Sequence, residues 1–162
     1  MIRAPIRLSA SAVIRRSIDN RFLLVEELVN HRLVLDVPGG TWEIGETLIE
    51  TSLREAAEEA SVIFTPEYFL GSFTTEFMSS SGKRVCNVRM GFAGSVDADP
   101  SQVPRDPSTK AIHWLDLEEI KSNQDRLRSS ATLRCVQAFA NGRVFPLDFC
   151  DQAADWTLNS AP

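Results

Sequence analysis

The chain has 162 residues, 43% of them hydrophobic, and 17 basic against 22 acidic residues give a formal net charge of −5. That length is one domain with enough material to bury a core, and no apolar run approaches a membrane span. The acidic balance and the lack of a basic tract exclude duplex nucleic acid as the main partner, and residues 1–7 lack the apolar stretch of a signal peptide, so a cytoplasmic protein is expected.

In chain order, Leu8–Arg16 reads as a strand, Ser17–Asn20 as a turn and Phe22–Leu28 as the antiparallel mate. Leu33–Val37 continues extended into Pro38-Gly39-Gly40, where two glycines let the backbone approach a ligand. Thr47–Ala60 lacks Gly and Pro and is rich in Ala, Leu and Glu, which predicts a helix. Tyr68–Met78 and Val85–Val96 alternate as strands around Ser79–Lys83, a second hairpin. Asp97–Lys110, with three prolines, reads as a loop, and Ala111–Leu115 as a short strand. Asp116 caps a helix through Lys121, and a last helix runs from Ser130 to Ala140 and ends at Asn141-Gly142. Strands, a helix after a glycine turn, more strands and a terminal helix predict an α/β class with a mixed sheet between helices. The domain is expected over 1–150, with a loosely held tail over 151–162. Cys86, Cys135 and Cys150, odd in number and without a C-x-x-C pair, point to reduced thiols, and His31 and His113 to structural or surface roles.

Chemistry concentrates in the helix and its approach. Gly40 is followed after five residues by Glu46, and after seven more by Arg54-Glu55-Ala56-Ala57-Glu58-Glu59. Leu48, Ile49, Leu53, Ala56, Ala57 and Ala60 form the predicted buried stripe. Glu55 and Glu59, four apart, stack on a second face away from it, and Arg54 and Glu58 make another such pair. Like charges at that spacing repel unless something positive lies between them, and a hard dication with oxygen ligands does that. Residues 43–59 hold six glutamates against one arginine, so the entire net charge sits here. A solvated Glu-rich face is the plain alternative; the fixed spacing and the Pro-Gly-Gly approach argue against it.

This pattern resembles the Nudix box, with six of its seven fixed residues present and Ser61 in place of the final glycine. Six such matches arise by chance at roughly one in ten million start points. The resemblance implies an α/β/α sandwich with a mixed sheet and the box as loop–helix–loop. Residues 22–26, 113–115, 127–129 and 142–147 look like the NudJ-type phosphatase subgroup. It also implies a metal-dependent hydrolase of phosphoanhydrides in a nucleoside or pyrimidine di- or triphosphate-type substrate, thiamine-related pyrophosphates included. An ADP-ribose-type pyrophosphatase and a non-catalytic nucleotide-binding module are the alternatives, though all the box carboxylates are retained. The implied cofactor is Mg²⁺, with Mn²⁺ able to substitute. The implied partner is a small phosphorylated metabolite, and the protein a monomer or homodimer.

By position in the motif, Glu55 and Glu59 are metal ligands, aided by the Gly39 or Gly40 carbonyl. Glu58 joins them or acts as base, and Arg54 orients Glu58; Glu55, Glu58 and Arg54 make up the catalytic set. Glu46 either binds metal through water or caps the helix. Many members of the family carry a glutamate in the segment matching 106–110; here Asp106, Lys110 and the earlier Glu76 stand instead, which leaves the base open. Trp42, Phe77 and Arg7 are candidate substrate contacts. Phe73, Phe92 and Arg89 are further candidates, although strand aromatics are more often core and arginines more often surface.

Overall fold

The structure, a computed structural model, describes residues 4–79, 81–97 and 106–150. The expected tail, 151–162, lies outside them, as does most of the 97–110 loop. The elements are β1 (Ile6–Arg16), β2 (Phe22–Val29), β3 (Arg32–Asp36), β4 (Gly39–Thr41), α1 (Leu48–Ala60), β5 (Tyr68–Met78), β6 (Arg84–Val96), β7 (Thr109–Leu115), α2 (Leu117–Ser122) and α3 (Ser130–Ala140), with 3-10 turns at Gln124–Arg126 and Leu147–Phe149.

The sheet runs β3-β2-β1-β6-β5, with β4 also on β1 and β7 also on β2. Among the strands described, only β1 and β6 pair in parallel, from Ile6↔Cys86 to Arg16↔Val96. The mixed sheet matches expectation, but the first hairpin does not stay closed. β1 and β2 pair antiparallel at Arg15↔Phe22 and then diverge. β4 takes the vacated edge of β1, while β2 pairs with β3 and β7. The Pro-Gly-Gly segment is therefore a short strand as well as a turn. Between β2 and β3, Asn30 and His31 both have positive φ (50° and 62°), the geometry of a tight hairpin turn, so His31 is a turn residue.

Alternation sorts the side chains into two layers. Val13, Phe22 and Leu24 join Ala131, Cys135, Val136 and Phe139 of α3 on one side of the sheet, where Ile120 of α2 also packs. Ala12, Ile14, Leu23 and Val25 face Ala56 and Ala60 of α1 on the other. The sheet thus lies between helices, as an α/β/α sandwich requires. No helix among the described residues is long and apolar enough to cross a membrane.

Local signals set the helix ends. Thr47 caps α1 in a reciprocal box with Glu50, and Asp116 caps α2 the same way with Glu119. At the other end of α1, Ser61 sits in the left-handed region (φ 53°, ψ 32°), while the Ser61 and Val62 N–H groups donate to Ala57 and Ala56 carbonyls. The chain makes the glycine-type turn without glycine. A left-handed non-glycine residue costs about 1–2 kcal/mol, and the greater freedom of unfolded glycine returns about 0.4–1 kcal/mol of any gain. Ser61→Gly should therefore stabilise the protein by about 0.5–1 kcal/mol, a rise in Tm of about 1–4 °C by calorimetry.

Candidate active site

β4 meets α1 through bare backbone at Gly39 and Gly40, against which the Glu55 and Glu59 side chains of the helix lie. The Gly39 N–H donates to Glu59 Oε2 at 2.9 Å. A Cβ on Gly40 would lie 2.0 Å from Glu55 Oε1. Ala12 N–H bonds the Pro38 carbonyl and Trp42 N–H the Leu8 carbonyl, so the alternation of an antiparallel ladder makes Ala10–Gly40 a bonded pair. The Gly40 carbonyl is thus turned to β1, and the Gly39 carbonyl away from it. Glu55 and Glu59 are not on a solvent face. Both are buried, on the same flank as Leu48, Ala56 and Ala60, and only Glu58 of the three is exposed.

Arg54 ties this acidic helix to the loop before it. Its guanidinium donates to Glu55 Oε1 at 2.6 Å, to both oxygens of Glu46 at 2.9 and 3.1 Å, and to the Thr41 carbonyl at 3.1 Å. Glu58, the expected partner, is reached only at 3.4 Å. Glu46 does not cap the helix, since Thr47 does. It accepts from the Glu43 N–H, the Thr51 hydroxyl and Arg54, and so closes the loop. That set of donors, Arg54 foremost, holds the Glu46 carboxyl below its ordinary range.

Beside Gly39, a cleft of about 370 Å³ opens between the sheet and the Arg128–Ser129 turn. Arg7 and Phe77 line it; Trp42 does not. Trp42 instead packs beside Ala10, Leu48, Phe69 and Phe92 and donates its indole N–H to the Glu46 carbonyl at 2.7 Å. The Arg7 guanidinium carbon lies 6.0 Å from the Phe77 ring centroid. Its buried Nε has no hydrogen-bond partner among the described residues. Burial foremost, then the charges of Arg128 and Arg89, lower the proton affinity of Arg7 against the opposing pull of Glu55 and Asp36. Arg128 is paired with the buried Glu27. Arg89 is no surface arginine: it is buried and forks onto Asp36 at 2.8 and 2.7 Å. Asp36 also accepts from Thr132 of α3 at 2.6 Å and from the Val37 N–H at 2.9 Å. Burial disfavours the Asp36 charge, but Arg89 and these donors outweigh it and hold the carboxyl low. Phe73 and Phe92 are core residues.

Three comparisons bear on this arrangement. The family model described as the NUDIX domain matches residues 5–134. The chain belongs to the Nudix family. It is 26% identical over 130 residues to the phosphatase NudJ of Escherichia coli, covering 80% of this chain and 82% of that one. Among solved structures, a Nudix hydrolase from Nitrosomonas europaea superposes with a TM-score of 0.78 at 28% identity, over 93% of this chain and 98% of that one. A MutT protein from Methanosarcina mazei gives a TM-score of 0.68 at 26% identity, over 88% and 99%. With these relatives, the protein is a Nudix phosphohydrolase.

Nudix hydrolases generally use divalent metal ions, and the donor set here fits one. Among the described residues, no three His, Cys, Asp or Glu side chains converge on a common point. Two carboxylates do lie side by side, Glu55 and Glu59, with the Gly39 backbone against them. Mg²⁺ characteristically takes one or two protein carboxylates and fills its octahedron with water and phosphate oxygens. Burial pushes the Glu59 carboxyl up to about 8, with Glu27, Glu55 and Asp36 adding to it against the Gly39 hydrogen bond. Burial likewise raises Glu55, against the pull of Arg54. Two acids that resist ionisation here are what a dication would release from their protons.

Of the other acids, Asp106 accepts from the Ser108 N–H at 2.7 Å, and its own N–H bonds the Glu58 carbonyl at 2.9 Å. Glu76 lines the cleft and pairs with Arg84 at 2.7 Å. The Asp36–Arg89–Thr132 network escaped the sequence reading. Its signal was an opposite charge lodged in each of two apolar strand runs, Leu33–Val37 and Val85–Val96.

Two outcomes follow. Between about pH 4.5 and 8 the unfolded chain loses the Glu59 proton while the folded, metal-free protein keeps it. That stabilising contribution is complete below the lower value and gone above the upper, with a slope of up to about 1.4 kcal/mol per pH unit. Urea unfolding of metal-free protein should show this decline, and Glu59→Gln should flatten it and be the more stable form at pH 8. Gly40→Ala should fold but displace the Glu55 carboxylate, and a shift of about 1 Å costs on the order of a hundredfold in turnover.

Proposed function

We propose that the protein hydrolyses a phosphoanhydride bond in a nucleoside or pyrimidine di- or triphosphate-type substrate, with Mg²⁺ as cofactor and Mn²⁺ able to replace it. The observation that carries this reading is the buried Glu55–Glu59 pair against Gly39, which is itself part of the wall of a cleft where Arg7 makes no ion pair among the described residues. Mg²⁺ held there would neutralise phosphate charge and lower the pKa of water. Glu59 and Glu55 are its ligands, with the Gly39 carbonyl, rather than that of Gly40, turned to their side. Arg54 fixes Glu55 from behind and locks Glu46, so the carboxylate does not swing when charge changes in front of it. Glu58, exposed and only loosely tied, is free to take the proton of the attacking water. Arg7 reaches the substrate's phosphates, where partial burial strengthens its pull on an anion. The substrate is a small phosphorylated metabolite met in the cytoplasm.

Purified protein incubated with Mg²⁺ or Mn²⁺ and a panel of nucleoside di- and triphosphates, dinucleotides, nucleotide sugars, ADP-ribose and thiamine pyrophosphate is the decisive experiment. Turnover of a mononucleotide or pyrimidine pyrophosphate above ADP-ribose is expected. Faster ADP-ribose cleavage would replace the substrate assignment, and silence across the panel would overturn the activity. Glu59→Gln should lower turnover by about a hundredfold or more, in the range seen when a group stabilising transition-state charge is removed. It should also shrink the rise in Tm that Mg²⁺ gives the parent.

A further inference from the structure

One polar group in the cleft has no part in the reading above. Arg7 of β1, Asn87 of β6 and Thr75 of β5 stand in register across three strands, on one face of the sheet. Asn87 is only 8% exposed and lines the cleft. Ser9, one row inward, donates its hydroxyl to Asn87 Oδ1 at 3.2 Å. That bond occupies the carbonyl side of the amide and leaves the NH₂ group with no partner among the described residues. That NH₂ faces the cleft, where a ligand that displaces its water must accept from it in return. Its neighbours include the Phe77 side chain, with the Arg7 guanidinium over that ring, a planar group that a flat ring can lie against. The volume, about 370 Å³, is at the small end of ligand pockets, which run from about 300 to 1,000 Å³. Such a space accommodates one base with its sugar.

We infer that Asn87, oriented by Ser9, determines specificity by donating to an acceptor on the edge of a single heterocyclic ring lodged in this cleft. The inference rests on the phosphohydrolase reading and adds the organic half of the substrate to it. The cleft selects compounds with heteroatoms on the ring edge over carbocyclic rings of the same size. The physical reason is an asymmetry: a ring without an acceptor must bury the Asn87 NH₂ unpaired, and sites built to hydrogen-bond a ligand reject the analogue that lacks the group.

Binding separates this inference from catalysis. Calorimetric titration uses metal-free protein and the four common ribonucleosides, with 1-phenylribose as the ring lacking edge acceptors. The parent should bind at least one nucleoside about ten- to a hundredfold more tightly than 1-phenylribose. Asn87→Leu should erase that preference while binding 1-phenylribose at least as well as the parent does. Ser9→Ala should narrow the preference in the same direction, and carries the test if Asn87→Leu does not fold. Equal binding of both ring types by the parent, no binding of any nucleoside, or an Asn87→Leu protein that keeps the preference would each overturn the inference. Nucleoside binding that depends on Asn87, in a protein that hydrolyses nothing, would sink the activity and leave the inference standing. Hydrolysis of nucleotides indifferent to Asn87 would do the reverse.

Discussion

The space between β4 and α1 is filled by the helix's own carboxylates and admits no side chain from the strand, and the candidate active site depends on that closeness. Gly39 and Gly40 let a helix carrying buried carboxylates lie directly on the backbone of the sheet. At Gly39 a Cβ would also collide with the Ala10 carbonyl and Ser11 at 2.7 Å, so the constraint acts from both sides of the strand. The consequence is that Glu59 meets the Gly39 N–H, and Glu55 pairs with Arg54 among further acids, Glu46 and Glu58. Elsewhere α1 is an ordinary amphipathic helix, held by Ala56 and Ala60 against β1 and β2.

Packing and chemistry oppose each other here, and the fold resolves the conflict locally. Enclosing two carboxylates costs free energy unless charge is matched, and a single arginine shared among Glu46, Glu55 and Glu58 matches only part of it. Further along, the Asp36–Arg89 pair shows the fully matched case: two hydrogen bonds across the fork, a hydroxyl from α3 and a backbone amide. The contrast distinguishes a structural ion pair from a site left charge-deficient. One is saturated by its own protein; the other has oxygen atoms to spare.

Much of this was legible in the sequence because it is encoded locally. Helix limits, the Asp116 cap and the strand sequence β5–β6 all follow from residues within a few positions of one another. What was misjudged depends on partners far along the chain. Glu55 and Glu59 were placed away from the apolar stripe, because a helical wheel does not record that two glycines on a distant strand make room for them. Arg54 was assigned to Glu58 by i,i+4 spacing, whereas a loop eight residues earlier offers Glu46. Arg89 looked like a surface residue until α3 and β3 closed over it. Trp42 looked available for stacking, yet its indole N–H holds the loop that leads into α1. The early hairpin opened for a related reason, since β4 competes for the edge of β1 that a simple β1–β2 pairing would fill.

The parallel pairing of β1 with β6 bears on folding as well as on shape. Ser9 and Asn87 are separated by 78 positions, and Arg89 and Asp36 by 53. Helix α1 and its approach, by contrast, need only residues 39–60. Closing long loops is entropically dear and slow, so the carboxylate-bearing half of the site is built from neighbours and the cleft from remote segments. A partly folded chain can present the acidic helix without the cleft that would deliver an anion to it. The two halves of the site therefore come together only when β6 has joined β1, and assembly of the sheet is the step that completes it.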